Sequence, residues 1–576
     1  MVPLVAFLVL AAWTWGKWPE ALVDFGRELY VPWRLSEGRR LYEDVAYFNG
    51  PLSPWSNALL FRLFGVSLRT LSLANLAITA AVTSLIWGLV RLFGSRLAAA
   101  AACAVFLSIF AFGQFMPGGA YNFIAPYSHE MTHGTLLAAV ALLLLARHLR
   151  KGGSWAVFAC GVCLGLIALG KPEFTMATGV ATAGGLALHH LLQGRPARRG
   201  LAVGGLFAAG ALLPLLTAFA LLLWGRSPAQ ALRDLSGPWA YVLDGRITQS
   251  RFYRDLRGTS DPGRSLGIIA VWTLGYAAAL GPAVFLAFRR ARAAVPVALS
   301  ALCAGAVTLS AWRWGQWENS LRPLPVLLSV ALILAGWRLP RSRDVLGFAF
   351  LLFAVLLPLK TWLNLRPVHY GFALALPATL AFLVLILETI PAWIARRGGR
   401  PAVFRAAACV VVALGVCIQL RATAGWLERK TELLGTGADT FLADRREARV
   451  GAVVDRVTRL RRPGETLVML PEGAMIPYLT RTPSSTRYFQ FMPPELAMYG
   501  EERIVAALDR RPPDWIVLLH RPLTEYGYRV LGDDYGLGIV AWAAERYAPL
   551  DRVLVTDGRG VQEEYALILR KIPGGR

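Results

Sequence analysis

Residues 128–134, with the sequence SHEMTHG, contain the pattern His-Glu-x-x-His. On a helix this spacing places His129 and His133 on one face, with the carboxylate of Glu130 beside them. The pattern is typical of zinc hydrolases, in which the histidines bind the metal and the glutamate activates water. Such a site needs a third protein ligand, for which Asp244 in the loop sequence LDG is a candidate. The stretch is also compatible with the packed start of a helix, or with a site of another kind.

A second group of polar residues follows the first apolar segment of the chain. Asp24, Arg27 and Glu28 are three and four residues apart, so they share one face if the stretch is helical. A carboxylate that is held at a membrane boundary and partly shielded from water has the raised pKa that a general base needs. A surface ion pair at a solvated helix end is the alternative, and the spacing alone does not separate the two.

The elements that must position these residues are strongly apolar. The chain has 576 residues, of which 56% are hydrophobic and 17% charged, and its mean hydropathy is +0.48. These values predict an all-α polytopic membrane bundle. A formal net charge of +24 would suggest nucleic-acid binding in a soluble protein. Here the excess arginines lie in short connections between apolar segments, so no nucleic-acid partner is predicted.

About thirteen segments are apolar and long enough to cross a bilayer. They lie near 3–17, 70–92, 97–115, 129–146, 154–170, 173–192, 201–224, 265–288, 294–311, 323–337, 344–360, 370–394 and 402–420. Every second connection is short and rich in arginine, as at Arg195–Arg199 and Arg289–Arg292. By the positive-inside rule these connections face the cytoplasm. The N-terminus is then inside, and the chain after residue 420 is outside.

The connections on the opposite side are longer and carry most of the aromatic and acidic residues outside the spans. The two longest are 18–69, which contains Asp24, and 225–264. The second is too long for a simple connection and is rich in aromatic residues, namely Trp239, Tyr241, Phe252 and Tyr253. We expect it to form short amphipathic helices that cover a site on the outer face.

The pattern of the sequence changes after the last apolar segment. We divide the chain into a membrane domain, 1–424, and an extracytoplasmic α/β accessory domain, 425–576. Residues 425–460 are predicted to be helical. Strands are predicted at 465–470, 486–491, 514–519 and 564–569, with helices near 472–480 and 500–510. No phosphate-binding glycine motif follows these strands, and the isolated Glu495 and His520 carry no functional prediction.

The first outer connection resembles a known family. An acid after the first span, L-x-x-G-x-x-L-Y-x-D from Leu35 to Asp44, and GPLSPW from Gly50 to Trp55 are similar to the first outer loop of GT-C membrane glycosyltransferases. The nearest relatives are bacterial proteins related to protein O-mannosyltransferases and to the lipid A aminoarabinose transferase. The resemblance extends to the layout of about thirteen spans and a C-terminal extracytoplasmic domain.

The resemblance implies transfer of a sugar, with inversion, from a polyprenyl-phosphate carrier on the outer side of the bacterial cytoplasmic membrane. The acceptor would be an envelope glycan, a glycolipid or a protein. Asp24 matches the acid that activates the acceptor hydroxyl. Many relatives have Glu directly after that acid, whereas this chain has Phe25, so Glu28 either supports Asp24 or replaces it.

The family often carries a second acid in the loop before the fourth span. Glu130 would suit that role, with His129 and His133 beside it in an acceptor or second acidic site. The resemblance requires no cofactor, and a divalent cation is compatible with it, so no metal ligand is assigned. The alternatives are a membrane zinc metalloprotease that uses His129-Glu130-x-x-His133, and a lipid or solute transporter without an enzymatic activity.

The departing lipid phosphate needs cations at the outer face. The candidates lie in or beside outer connections and are Lys171, Arg366, His369, Arg313 and Arg322. Lys171 has an alternative role as the ion-pair partner of Glu173. The alternative role of the arginines is to extend their side chains along the membrane surface to lipid headgroups.

Overall fold

The computed structural model describes residues 2–289, 294–314, 316–556 and 562–573. Two of the predicted cytoplasmic arginines, Arg290 and Arg292, lie outside the described residues. The first part of the chain is helical, with the elements α1 Val2–Trp13, α2 Phe25–Ser36, α3 Leu52–Phe64, α4 Leu68–Arg91, α5 Arg96–Val105, α6 His129–Lys151, α7 Ser154–Ala168, α8 Pro172–Leu192, α9 Ala197–Leu222, α10 Pro228–Leu243, α11 Gly245–Thr248, α12 Arg251–Arg257, α13 Pro262–Leu286, α14 Ala294–Trp314, α15 Leu324–Ser342, α16 Val345–Leu356, α17 Gly371–Leu374, α18 Leu376–Val384, α19 Ile390–Arg396 and α20 Pro401–Leu427.

Helices occupy each of the predicted apolar segments. Within the described ranges, nine are long and apolar enough to cross a membrane, and shorter apolar helices lie at Val2–Trp13, Arg96–Ala111 and Ser154–Ala168. A multi-pass membrane protein is therefore confirmed. The count of about thirteen spans and the N-in, C-out orientation stay predictions.

Small residues let the helices of the bundle approach closely. A Cβ at Gly161 or Gly165 of α7 would overlap backbone atoms of α9 near Phe207 and Ala211. Helix packing inside a membrane depends on such small contact surfaces, because lipid tails are as apolar as the side chains. The requirement for glycine here is thus one of space between two helices.

The chain after α20 contains a small mixed sheet with helices. Its elements are β1 Glu432–Leu434, β2 Phe441–Ala443, α21 Arg445–Leu460, β3 Leu467–Leu470, α22 Met475–Leu479, α23 Pro493–Tyr499, α24 Glu501–Arg510, β4 Trp515–Leu519, α25 Leu537–Arg546, β5 Tyr547–Thr556 and β6 Gln562–Lys571. The strand order is β3-β4-β6-β5, in which β3 and β4 are parallel and the other two pairs antiparallel.

Two predicted elements of this part are wrong. Residues 486–491 form no strand, because their backbone bonds the first outer connection at Ala46 and the loop at Pro471 rather than a neighbouring strand. The predicted helix 425–460 is interrupted by the β1–β2 hairpin, whose turn holds Gly435 in the left-handed region at φ 75°. The sequence reasoning also missed α25 and β5, which complete the sheet region.

Candidate active site

A narrow cavity of about 90 Å³ lies where the predicted outer connections meet the C-terminal part of the chain. Asp24, Lys171 and His369, which are far apart in sequence, all line it. Tyr241, Phe252 and Tyr253 of the 225–264 connection line it as well. The cavity thus brings together a carboxylate and a cation from the predicted site.

Among the predicted acids, Asp24 has the carboxylate with the fewest contacts to other protein groups. Asp24 precedes α2 with φ 56°, and its side chain makes no capping hydrogen bond to that helix. The side chain is 37% exposed, and its ion-pair partner is Arg27, at 3.5 Å from Oδ1 to Nη1. Arg27 is itself buried and fixed by a 2.8 Å hydrogen bond to the carbonyl of Tyr127. Asp24 is therefore held in place while its oxygens still face the cavity.

Glu28 is fully engaged in the protein interior. Its Oε1 accepts a hydrogen bond from Arg27 Nε at 3.2 Å. Its Oε2 accepts from the backbone N–H of His129 at 3.1 Å and lies 2.7 Å from His129 Nδ1. Glu28 is not among the residues that line the cavity. This arrangement supports a role in fixing Arg27 and the start of α6, and it does not favour Glu28 as a replacement for Asp24.

His129, Glu130 and His133 lie at the start of α6, as predicted, but their contacts do not form a zinc site. His129 Nε2 is 2.9 Å from Asn75 Nδ2, so both ring nitrogens of His129 have protein partners. His133 Nδ1 is 2.9 Å from Ser53 Oγ. Among the described residues, no group of three or more His, Cys, Asp or Glu side chains is arranged to hold a metal ion. Asp244 instead caps α11 through Arg246 N.

Glu130 lies behind the cavity rather than in it. Its Oε2 accepts a 2.6 Å hydrogen bond from Ser128 Oγ, and its Oε1 accepts one from the hydroxyl of Tyr47. The charge of Lys171 also acts on this carboxylate. The pattern His-Glu-x-x-His thus positions the start of α6 and provides a negative charge near Lys171, while the acceptor role predicted for Glu130 is unsupported by its contacts.

Lys171 is buried and faces the cavity at the N-terminus of α8. The contacts do not favour the alternative prediction that Lys171 pairs with Glu173. Glu173 instead pairs with Lys360 at 2.6 Å. The ammonium groups of Lys171 and Lys360 lie 5.3 Å and 3.8 Å from the centre of the Tyr370 ring. Among the residues that the structure describes, no carboxylate lies within ion-pair distance of Lys171. A buried cation beside an aromatic face suits an incoming anion.

Of the remaining predicted phosphate ligands, His369 lines the cavity and the three arginines do not. The Nδ1 of His369 is 2.8 Å from the hydroxyl of Tyr121. Burial, together with the charge of Arg366, lowers the pKa of His369 to about 4, so the ring is neutral at pH 7. It can offer an anion a hydrogen bond but no charge.

The predicted arginines do not line the cavity. Arg366 pairs with Glu318, at 3.3 Å from Nη1 to Oε1, and acts on the site through His369. Arg322 is buried and Arg313 is exposed at the end of α14. The prediction that these three arginines bind the donor phosphate is not supported by their placement.

Short helices cover the cavity, as predicted for residues 225–264. These are α10, α11 and α12, and their tyrosines form a chain of hydroxyl contacts from Tyr241 through Tyr253 to Tyr370. Phe252 stacks on Tyr526 of the C-terminal part, with ring centres 4.8 Å apart. The cover therefore joins the bundle to the C-terminal part directly above Asp24 and Lys171.

The sequence did not identify which residues the C-terminal part contributes to the cavity. Glu472, Gln490, Glu495 and Arg521 all line the cavity. Glu472 is 2% exposed, pairs with Arg521, and accepts a 3.0 Å hydrogen bond from the backbone N–H of Asp24. None of these residues lies in a recognisable motif, so the sequence did not single them out.

No protein-family model matches the chain, and no curated protein matches its sequence. Its fold is similar to that of a solved oligosaccharyltransferase structure, which agrees with the architecture that the GT-C resemblance predicted. The similar solved structures include the Archaeoglobus fulgidus oligosaccharyltransferase in its apo form, with 14% identity and a TM-score of 0.50 over 98% of this chain and 74% of the other. They also include ArnT from Cupriavidus metallidurans bound to undecaprenyl phosphate, with 13% identity and a TM-score of 0.44 over 100% of this chain and 97% of the other.

Proposed function

We propose that the chain is a membrane glycosyltransferase that moves a sugar from a polyprenyl-phosphate donor to an acceptor, with inversion, on the extracytoplasmic face. The observation that carries the proposal is the cavity that is lined both by the partly exposed carboxylate of Asp24 and by the ammonium of Lys171, for which no ion pair is present among the described residues. The fold supports it, since a similar solved structure is that of an oligosaccharyltransferase.

The proposed reaction is a single displacement. The acceptor hydroxyl attacks the anomeric carbon of the sugar, its proton passes to the carboxylate of Asp24, and the bond from that carbon to the phosphate oxygen breaks. The polyprenyl phosphate leaves with the electron pair of that bond, and Lys171 stabilises its negative charge. One displacement inverts the anomeric configuration, because attack and departure occur on opposite faces of the sugar.

The side chains of the cavity divide the remaining work. Arg27 fixes Asp24, and the neutral His369 donates a hydrogen bond to a phosphate oxygen. Lys171 already supplies a positive charge, so the proposed mechanism needs no divalent cation. The acceptor is an envelope glycan, a glycolipid or a protein at the outer face of a bacterial cytoplasmic membrane.

The test measures sugar release and transfer by the purified protein in detergent with a panel of radiolabelled polyprenyl-phosphate sugars. Lys171→Met should weaken the binding of undecaprenyl phosphate by about 10- to 100-fold, because a buried charge-assisted contact is lost. The matched control is Lys151→Met, at the exposed end of α6. An undiminished affinity in Lys171→Met would contradict the assignment of the phosphate site.

The same preparation separates the rival functions. A zinc metalloprotease would contain stoichiometric zinc that is lost in His133→Ala, and would turn over no lipid-linked sugar. A transporter would tolerate Asp24→Asn and release no sugar from any donor. Treatment with EDTA should leave the turnover of the proposed transferase unchanged, and a loss that is restored by a divalent cation would show that Lys171 does not suffice.

A further inference from the structure

Glu495 is a buried acid with an unsatisfied oxygen at the edge of the cavity. It belongs to α23 and is 7% exposed, and its Oε2 has no hydrogen-bond partner in the part of the chain that the structure describes. The buried acids Glu28, Glu130 and Glu472 around the site have partners, and so does the half-buried Glu173. A buried carboxylate oxygen without a partner is unfavourable, which suggests that the partner is a ligand.

Glu495 lies between the cavity and a wider groove. The narrow neck around it is lined by the aromatic rings of Tyr47, Phe48 and Tyr499 together with Arg27 and Gln490. Tyr47, Phe48 and Tyr499 also border the groove, which has a volume of about 650 Å³. A continuous row of side chains thus leads from Asp24 past Glu495 to the outside.

The groove belongs to the outer connections and the C-terminal part. Its walls come from residues 42–48, 225–247 and 487–499, and they add charged groups such as Arg226, Asp234 and Arg487. Lys171, in contrast, lies at the end of a helix of the apolar bundle. A lipid-linked donor therefore approaches the cavity along the bundle, and the groove is left for the second substrate.

The side chains of the neck match the chemistry of a sugar. Aromatic rings offer flat apolar faces, while a carboxylate, an amide and a guanidinium accept and donate hydrogen bonds to hydroxyl groups. Burial raises the pKa of Glu495 to about 7, although the charge of Arg27 opposes this. A substantial fraction of this carboxyl is therefore ionised near neutral pH, and the ionised form accepts hydrogen bonds from hydroxyl groups.

We infer that the groove binds a saccharide acceptor and that Glu495 accepts a hydrogen bond from a hydroxyl of that saccharide, next to the hydroxyl that attacks the donor. The inference rests on the proposed function and narrows its acceptor to a glycan or the glycan part of a glycolipid. Glu495 then belongs to acceptor binding, whereas Asp24 takes the proton.

The experiment measures how much of the donor's sugar is released by hydrolysis and how much is transferred to the acceptor. Purified protein is incubated with the donor that wild type turns over and with solubilised membranes of the source organism as the acceptor mixture. Free labelled sugar and sugar bound to membrane material are counted. Glu495→Gln should lower the ratio of transferred to hydrolysed sugar by about 10- to 100-fold, because a hydrogen bond to a charged group is lost.

The control is Glu502→Gln, an exposed acid at the start of α24, which should keep the wild-type ratio. Undecaprenyl phosphate affinity reports whether Glu495→Gln is folded. A wild-type ratio in folded Glu495→Gln would overturn the inference. If wild type turns over no donor at all, the proposed function fails instead.

Chemical or enzymatic treatment of the acceptor mixture shows whether the acceptor is a saccharide or a protein. Periodate cleaves the vicinal diols of saccharides, so it should abolish transfer by wild type, whereas digestion of the mixture with a protease beforehand should not. Transfer that survives periodate but is lost after proteolysis would overturn the saccharide assignment.

Discussion

At the scale of single residues, the proposed base Asp24 is held by a hydrogen bond from its backbone N–H to the carboxylate of Glu472. It fixes a non-glycine residue at φ 56°, a region that L residues seldom adopt. Glu472→Ala should lower kcat by about 10- to 100-fold with a small effect on the donor KM, since the base is displaced and the phosphate site is not. Glu472→Gln retains an acceptor oxygen and should lose less. Equal kcat for Glu472→Ala and wild type would contradict the positioning role.

A second prediction at the residue scale concerns the pKa of His369, about 4 in the folded protein. Between pH 6.5 and 4 the unfolded chain takes up a proton at this ring and the folded chain does not, so wild type loses stability as the pH falls. The variant His369→Gln has no ionisable ring at this position, so it does not lose stability in this way as the pH falls. Its melting temperature relative to wild type should therefore rise by a few degrees as the pH falls from 7 to 4.5. The exposed His520→Gln should show no such trend, and a flat difference for His369→Gln would contradict the shifted pKa.

At the scale of elements, the sequence GPLSPW fixes the distance between the first outer connection and the α7–α8 turn. The backbone N–H of Gly50 bonds the carbonyl of Gly170 at 3.1 Å, and a Cβ at Gly50 would overlap the carbonyl of Leu169. Gly50→Ala should push away the turn that carries Lys171 and weaken undecaprenyl phosphate binding by about 10-fold, on the order of 1.4 kcal/mol. Gly88→Ala, which meets open space and a leucine side chain, is the control. Unchanged binding in Gly50→Ala would show that this contact does not position Lys171.

At the scale of the whole molecule, the orientation in the membrane is a prediction from the charges of the connections. A cysteine at Arg198, in the first turn of α9, should resist a membrane-impermeant maleimide in spheroplasts, whereas one at Arg254 of α12 should react. Both positions are exposed. The native cysteines are replaced in the background, and labelling after lysis shows that both introduced thiols are reactive. The reverse pattern would place the cavity in the cytoplasm.

The sequence predicted the parts of this molecule that depend on local patterns. Apolar stretches and arginine-rich connections indicated the helices, and the acid after the first span led to Asp24. The role of Glu472 was not predictable, because its partner Asp24 lies more than four hundred residues away. The zinc alternative for His129-Glu130-x-x-His133 could not be judged from the sequence for a related reason, since Asn75, Glu28 and Ser53 from other elements contact its ring nitrogens.

The central claim is that Asp24 takes the proton of the acceptor, and one comparison tests it most directly. The turnover number of Asp24→Asn is measured at saturating donor beside Asp44→Asn, an acid of the same outer connection that bonds Arg40 N and does not line the cavity. We expect Asp24→Asn to lose about 100- to 10,000-fold in kcat with unchanged undecaprenyl phosphate affinity, and Asp44→Asn to match wild type. A kcat for folded Asp24→Asn within about twofold of wild type would contradict the mechanism.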